Sequence, residues 1–190
     1  AGYAADSYAQ PGTASLAMNM LDEGTTSRDA LQISEELDLL GASIGSGSSV
    51  DVSTVTLNTL KTTLAEALTI YADIVLNPSF PEKEFLRLQK EQIARIQREK
   101  VTPMSMAVRV FPKLLYGEGH AYSNPLTGSG TEESVAGMTV ADLKKFHETW
   151  FKPNNTTIVI VGDTQLDEIT DQVEKAFASW KPGDVPQKKL

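Results

Sequence analysis

The chain has 190 residues, of which 41% are hydrophobic and 22% charged, enough apolar material for one packed core or two small ones. This composition excludes fibrous and fully disordered proteins. The chain has seventeen basic and twenty-five acidic residues, which gives a net charge of −8. Because a negatively charged surface repels the phosphate backbone, we expect no nucleic-acid partner.

Two absences narrow the chemistry further. The chain has no cysteine, which excludes disulfides, thiolate nucleophiles and cysteine-ligated metals, and it has only two histidines, His120 and His147. No apolar run approaches the ~20 residues of a membrane span, so none is expected.

The first part of the chain shows helical and then strand periodicity. Apolar spacing predicts a buried helix over residues 13–22 and a second helix over 28–40, with Thr26 or Ser27 as its N-cap. Alternation over residues 42–60, with a slip of one residue, predicts a bulged pair of strands.

The remainder is mostly helical. The β-branched run at residues 156–161 predicts a strand that is central in a sheet or buried on both faces. Thr139 with Asp142 three residues later resembles a capping box. Together, the predicted helices and strands indicate an α+β domain. Helical periodicity predicts further helices over residues 64–75, 82–100, 103–116, 140–151 and 165–180, with a loop at 117–130.

Two local motifs fail as sites. The run GSGSS at residues 45–49 follows a helix and enters a strand, which is the reverse of a phosphate-binding loop, so it predicts a flexible turn. His147-Glu148 begins an HExxH-like string, but Phe151 stands at the last position. His147 is therefore predicted to be a partly exposed helical histidine, and His120 a loop residue whose ring bonds a backbone carbonyl.

Several ordered segments together resemble the pitrilysin/insulinase family of zinc peptidases. They are PGTASLAMNMLDEGT (11–25), LLGA (39–42), NPSFP (77–81), YGEGHAYSNP (116–125), PNN (153–155) and IVGD (160–163). The resemblance implies the mitochondrial-processing-peptidase-like metallohydrolase fold, with an antiparallel or mixed sheet in two layers and helices packed on one face.

The resemblance also implies that the zinc site is degenerate. Catalytic members carry an H-x-x-E-H on the first helix, and the matching positions here are Ser15, Met18 and Asn19. Their distal glutamate ligand matches Arg95 on an ungapped count, while a small gap selects Glu91 or Glu99. We therefore expect no catalytic, cofactor-binding or metal-binding residue in this segment.

In this family one half of the protein keeps zinc and the other loses it. The chain resembles the first subdomain of an inactive half, with residues 1–180 as one subdomain and 181–190 as a linker toward a missing second subdomain. Such a half forms the wall of an enclosed substrate chamber, with the catalytic half in the same or a partner chain. Zinc is expected only in that half, peptides are the expected substrates, and a bacterial periplasm is favoured over the cytoplasm.

Two alternatives remain open. The chain can be a structural relative, like the core subunits of the respiratory cytochrome bc1 complex, without peptidase activity. It can also be an independent hydrolase that uses His120 or His147, although no nucleophile elbow G-x-S-x-G occurs.

Overall fold

A computed structural model of the chain describes residues 1–187. Its architecture is α+β, with helices packed against a two-stranded antiparallel sheet. Short 3-10 helices lie at Tyr3–Tyr8, Lys61–Thr63 and Pro153–Asn155. The longer elements are α1 (Thr13–Asn19), α2 (Ala30–Leu39), β1 (Ser43–Ser48), β2 (Ser53–Asn58), α3 (Leu64–Leu76), α4 (Glu82–Glu99), α5 (Pro103–Tyr116), α6 (Glu132–Ala136), α7 (Val140–Trp150) and α8 (Leu166–Ala176).

Helix α1 lies at the centre of the core. It packs against α4, α7, β1 and the 3-10 helix at Tyr3–Tyr8. Leu16 and Met18 in α1, and Met20 just after it, are fully buried. An isolated helix of seven residues is unstable in water, so these tertiary contacts hold α1 in place.

A buried carboxylate caps the start of α1. Asp6 accepts hydrogen bonds from the backbone N–H groups of Gly12 (2.7 Å) and Ala14 (2.9 Å), which no helical carbonyl can satisfy. Burial raises the pKa of Asp6 to about 7, although both backbone hydrogen bonds oppose that rise.

The helix predicted over 28–40 begins later than expected. Its N-cap is Asp29, which forms a capping box with Gln32, so the prediction of Thr26 or Ser27 is wrong. The Thr25 hydroxyl accepts instead from the backbone N–H groups of Ser27 and Arg28. This local turn places the chain reversal ahead of the helix.

The strand pair differs from the prediction in two ways. β1 and β2 pair in unbroken register from Ser43↔Asn58 to Ser48↔Ser53, so there is no bulge. The slip of one residue in the alternation arises because residues 49–52 form the connecting turn. Most of the GSGSS run lies within β1 and is paired with β2, so the prediction of a flexible turn at 45–49 is also wrong.

The strand predicted at 156–161 is wrong for the residues that the structure describes. This segment has no strand partner, and Val159 and Val161 are 80% and 93% exposed. β-branched residues favour a strand, but a strand also needs a neighbouring edge to receive its backbone hydrogen bonds.

The other helices agree with their periodicity. α3, α4, α5 and α7 match their predicted spans to within one or two residues, and the Asp142 carboxylate accepts from the Thr139 N–H at 2.8 Å, as the capping box requires. Helices α1 and α8 end three and four residues early, at Asn19 and Ala176.

The chain end beyond α8 carries neither helix nor strand up to residue 187. Gly183 exchanges two hydrogen bonds with the Asn154 side chain, at 2.9 and 3.1 Å. The proposed linker at 181–190 extends past the described residues. Within residues 1–187, no helix has the length and apolar character needed to cross a membrane.

The Asp6 cap predicts a pH dependence of stability. Between about pH 4 and pH 7 the folded state keeps the Asp6 proton that the unfolded state has released, so the free energy of unfolding falls as pH rises through this window. The slope contributed by this one group is at most about 1.4 kcal/mol per pH unit.

Asp6→Asn removes the titration, and the difference in unfolding free energy between the original chain and the variant should then change across this window. Urea titrations at pH 4.5, 5.5, 6.5 and 7.5 measure it. Parallel pH profiles for the two proteins would contradict the assignment.

Candidate functional site

The three degenerate motif positions lie on α1 and have unequal exposure. Met18 is fully buried, Ser15 is half-buried and Asn19 is exposed. Ser15 and Asn19 are four residues apart and share one helix face, whereas Met18 belongs to the core. The backbone carbonyl of Met18 accepts a hydrogen bond from the Ser46 hydroxyl in β1 at 2.8 Å, which ties the helix to the sheet.

Ser15 faces the loop that follows α5. Gly128 in this loop has φ +67°, and a Cβ atom there would lie 2.8 Å from the Ser15 hydroxyl oxygen and 2.7 Å from the Tyr3 ring. Only glycine allows so close an approach at this φ. The loop therefore covers the Ser15 side of α1.

Arg95 on α4 reaches the same loop. Its Nη2 donates to the carbonyl of Thr127 at 3.3 Å, and its Nε lies 3.1 Å from Glu99 Oε1. Arg95 and Ser15 thus contact the adjacent loop residues Thr127 and Gly128. Glu91, selected by one gapped count, instead pairs with Arg87 at 3.0 Å on the outer face.

Glu99, selected by the other gapped count, belongs to a buried ion-pair network. Its Oε2 lies 2.6 Å from Arg109 Nη1 and 2.7 Å from the Ser129 hydroxyl. Burial raises the pKa of Glu99, but hydrogen bonds from Ser129 and Arg109 outweigh it, so the net pKa lies below the usual range. Arg109 also donates to the carbonyl of Gly130, which anchors the loop.

The residues at these positions do not fit a zinc ion. A hydroxyl, a buried thioether, an amide and a guanidinium replace the two imidazoles and the carboxylates that a catalytic zinc site needs. The Arg95 cation would repel the metal, and Glu99 is already bonded to Arg109 and Ser129. Throughout residues 1–187, no three His, Cys, Asp or Glu side chains are grouped so that they could hold a metal.

His120 fixes its loop in a way that differs from the prediction. Its Nδ1 accepts a hydrogen bond from the backbone N–H of Tyr122 at 3.0 Å, instead of donating to a carbonyl. Its ring stacks on Tyr116 with the centroids 5.0 Å apart. His120 thus has the predicted role of fixing its loop, but its ring accepts from a backbone N–H and does not bond a backbone carbonyl.

His147 joins two helices. Its Nε2 lies 2.8 Å from the carbonyl oxygen of Val75 in the last turn of α3, so this nitrogen carries the proton. Phe80 and Phe151 flank the ring. Burial lowers the pKa of His147, although the bond to Val75 opposes this. The contacts engage His147 in packing and in satisfying a helix-end carbonyl.

The structural roles of Asp6 and of the Glu99 network cannot be predicted from local sequence patterns. Asp6 lies six residues ahead of its Gly12 partner, outside the spacing of a standard N-cap. Glu99, Arg109 and Ser129 are ten to thirty residues apart and meet only through the fold. Charge patterning on α4 alone predicts a solvated face and cannot separate Glu99 from its neighbours.

Comparison with known protein families identifies the family of this chain. The sequence model of the insulinase family, peptidase family M16, matches residues 1–115, and that of the M16 inactive domain matches residues 137–190. The chain belongs to peptidase family M16. The resemblance to zinc peptidases of this family and the expected α+β fold are therefore confirmed.

Similar proteins are longer than this chain. The M16 inactive domain from Pseudomonas fluorescens superposes with a TM-score of 0.92 at 29% identity, over 100% of this chain and 46% of that one. An uncharacterized zinc protease of Rickettsia felis is 24% identical over 87% of this chain and 40% of its own length. The periplasmic protease PqqL of Escherichia coli shares the fold, with a TM-score of 0.81 at 19% identity, over 100% of this chain and 21% of that one.

The chain is thus homologous to M16 inactive domains. It spans less than half the length of the relatives it matches.

The buried network predicts that Glu99 and Glu91, two glutamates on the same helix, differ in their contribution to stability. Glu99→Gln leaves the buried Arg109 cation without its counter-ion and should lower the unfolding free energy by about 2–4 kcal/mol. Glu91→Gln, whose side chain is 59% exposed against 9% for Glu99, should cost less than about 0.5 kcal/mol. Urea denaturation at pH 7 measures both, and equal losses would contradict the prediction.

Proposed function

We propose that the chain is a noncatalytic subdomain of a zinc-dependent metallopeptidase and forms part of the wall of its substrate chamber. The observation that carries the proposal is α1. This helix is capped, buried and packed as a core element, while Ser15, Met18 and Asn19 replace the metal ligands and the base. Hydrolysis of peptides would then be carried out by a separate half that bears the H-x-x-E-H motif.

The physical chemistry of α1 is compatible with this division of roles. Met18 fills a fully buried position with an apolar side chain, where a glutamate without a metal partner would cost several kcal/mol. Arg95 bonds Glu99 and the loop carbonyl of Thr127, so it contributes to structure where a distal ligand would stand. Loss of the metal therefore costs the fold little, but without the metal no activated water can form.

The proposed assembly follows from family membership and length. The catalytic half, with its zinc, would lie in the same polypeptide or in a partner chain, and peptides would be the substrates. Residues 1–180 would form one subdomain, and 181–190 would lead to a second. The periplasmic relative favours a periplasmic location over the cytoplasm.

The alternative function is that of a structural subunit of a larger complex without peptidase activity. The degenerate α1 is compatible with this role as well as with that of a noncatalytic peptidase subdomain. The two differ in the companion half. Purification of the full-length protein with its partners should recover a half that carries H-x-x-E-H and binds zinc. Recovery with membrane electron-transfer subunits and without such a half would favour the structural role.

The zinc content tests whether Ser15, Met18, Asn19 and Arg95 occupy the positions of the zinc site in catalytic relatives. The tag-free protein should hold less than about 0.1 zinc per chain by plasma mass spectrometry. The combination Ser15→His, Asn19→His and Arg95→Glu, which leaves Met18 in the core, supplies three ligands and should raise this to about one.

The control places the same histidine pair on an exposed face of another helix. Leu31→His with Glu35→His on α2, combined with Asp38→Asn because Asp38 lies one turn further along the same exposed face, offers two ligands at the same spacing but no carboxylate beside them, and should stay near the background. Stoichiometric zinc in the original chain would overturn the proposal. If circular dichroism shows that the triple variant is folded but it holds no zinc, Arg95 does not occupy the position of the distal zinc ligand.

The histidine variants test the independent hydrolase. Because His120 and His147 are engaged in structural contacts, His120→Ala and His147→Gln should leave kcat/KM of the assembled enzyme on a fluorogenic peptide within about twofold. Thermal unfolding checks that both variants remain folded. A loss of 100-fold or more with unchanged folding and zinc content would instead support catalysis by that histidine.

A further inference from the structure

A groove runs between α3 and α8. Its volume of about 520 Å³ is within the range of sites that bind small organic ligands. On one side α3 contributes Leu68, Ala72 and Leu76, which recur every four residues on one helix face. On the other side α8 contributes Gln172 and Lys175, three residues apart and also on one face. The groove is therefore bounded by one face of each helix.

The two helices are held together by contacts outside the groove. The rings of Tyr71 in α3 and Phe177 after α8 pack edge to face, with their centroids 6.1 Å apart. The Tyr71 hydroxyl also donates to the Val55 carbonyl in β2 at 2.9 Å. Neither ring lines the groove. The packing that fixes the distance between α3 and α8 therefore leaves the groove open.

An ion pair with no spare hydrogen-bonding capacity closes one end of the groove. Asp73 Oδ2 accepts from the Thr25 and Ser27 hydroxyls, each at 2.7 Å. The same oxygen accepts from Arg28 Nη1 at 2.8 Å, and Oδ1 accepts from the Asn77 amide at 2.9 Å. Both carboxylate oxygens are thus engaged, and Arg28 neutralises their charge. This end offers a ligand no free carboxylate.

Gln172 presents an unpaired acceptor in the wall of the groove. Its side-chain oxygen Oε1 is buried and has no hydrogen-bond partner, the one buried side-chain nitrogen or oxygen in residues 1–187 of which this is true. A buried acceptor without a donor is destabilising, because the hydrogen bond it made to water in the unfolded chain is not replaced. The oxygen beside this groove therefore indicates a donor that belongs to a bound molecule.

Lys175 adds a positive charge next to this acceptor. It lies three residues after Gln172, about 4.5 Å further along the helix axis. Asp171 precedes Lys175 by one turn, but Lys175 forms no ion pair with it or with any other residue in 1–187. Since Arg28 and Asp73 compensate each other, Lys175 gives the lining of the groove a net positive charge.

We propose that the groove binds a small carboxylic acid that carries an N–H group on the carbon next to its carboxylate. This chemistry is shared by a free amino acid and by the C-terminus of a peptide. The carboxylate pairs with Lys175, and the N–H donates to Gln172 Oε1. An aliphatic side chain packs against Leu68 and Leu76. A single lysine matches the one charge of a carboxylate better than the nearly two charges of a phosphate.

Isothermal titration calorimetry of the full-length protein tests the proposal with N-acetyl-leucine and leucine. At least one should bind with a Kd below about 5 mM. Tighter binding of N-acetyl-leucine assigns the site to peptide C-termini, and tighter binding of leucine assigns it to free amino acids. If neither reaches this affinity, the groove holds only solvent and the proposal is wrong.

Two control compounds test the two contacts separately. 4-Methylpentanoate keeps the carboxylate and the aliphatic chain but has no N–H, and N-acetyl-leucinamide has no carboxylate. Each should bind at least about fivefold more weakly than the better of the two probes, because each loses one polar contact. Binding of either compound within fivefold of that probe would contradict the proposed contacts.

Variants on α8 place the binding in this groove. Gln172→Met keeps the length of the side chain and removes the acceptor, and Lys175→Gln removes the charge. Each should raise Kd at least about fivefold, whereas Lys144→Gln, the same change at an exposed lysine of α7, should leave it within twofold. A rise of less than fivefold for both α8 variants would overturn the proposal.

The ligand-free variants show whether these changes act through folding. Because Gln172 Oε1 makes no hydrogen bond within residues 1–187, Gln172→Met should leave Tm within about 2 °C. A saturating probe should raise the Tm of the original protein and not that of the variant. An equal rise for both would contradict the assignment. None of these measurements depends on zinc or hydrolysis, so the groove and the proposed function can fail independently.

Discussion

The carboxylate of Asp6, bonded to the backbone amides of Gly12 and Ala14, holds the start of the most buried helix in the chain. Helix α1 is too short to be stable alone, and the 3-10 helix that carries Asp6, the loop around Gly128 and helices α4 and α7 all pack on it or beside it. A displacement of α1 would therefore disturb nearly every layer of the core. Burial disfavours the ionised form of Asp6 and raises its pKa to about 7, and the hydrogen bonds to two otherwise unsatisfied N–H groups offset part of the cost of burying the side chain.

The same helix shows how family membership is compatible with the proposed loss of the zinc site. Leu16 and Met20 pack into the core, while Ser15 and Asn19 lie on the less buried face of α1, where the resemblance would place the ligands of catalytic relatives. Packing requires volume and apolar surface, whereas zinc binding requires particular donor atoms at fixed distances. The second requirement can be lost without the first. On the facing helix, Arg95 and Glu99 belong to an ion-pair network with Arg109 and the loop that covers α1, so these side chains stabilise structure.

Helical periodicity was the reliable part of the sequence, and its failures have physical causes. The spans of α3, α4, α5 and α7 follow from apolar spacing and from capping residues near in sequence. The predicted N-cap of α2, Thr26 or Ser27, is wrong because both residues lie in or beside a turn held by the Thr25 hydroxyl, and the helix begins only after Asp29. The degenerate positions are assigned by resemblance to ordered motifs and stay a prediction, whereas Asp6 and Glu99 acquire their structural roles from partners that no local pattern connects to them.

The unpaired segment at 156–161 is where local and global signals disagree. Its β-branched residues favour a strand, yet Val159 and Val161 are exposed, and the facing edge of β2 is also unpaired. A long apolar edge in water invites uncontrolled pairing with other chains, and natural sheets normally cover or charge such edges. Lys61 and Asp163 place one pair of charges, 3.7 Å apart, at the end of these two segments. Within residues 1–187 neither segment receives a partner strand on this side, so local β propensity alone does not form a strand at 156–161.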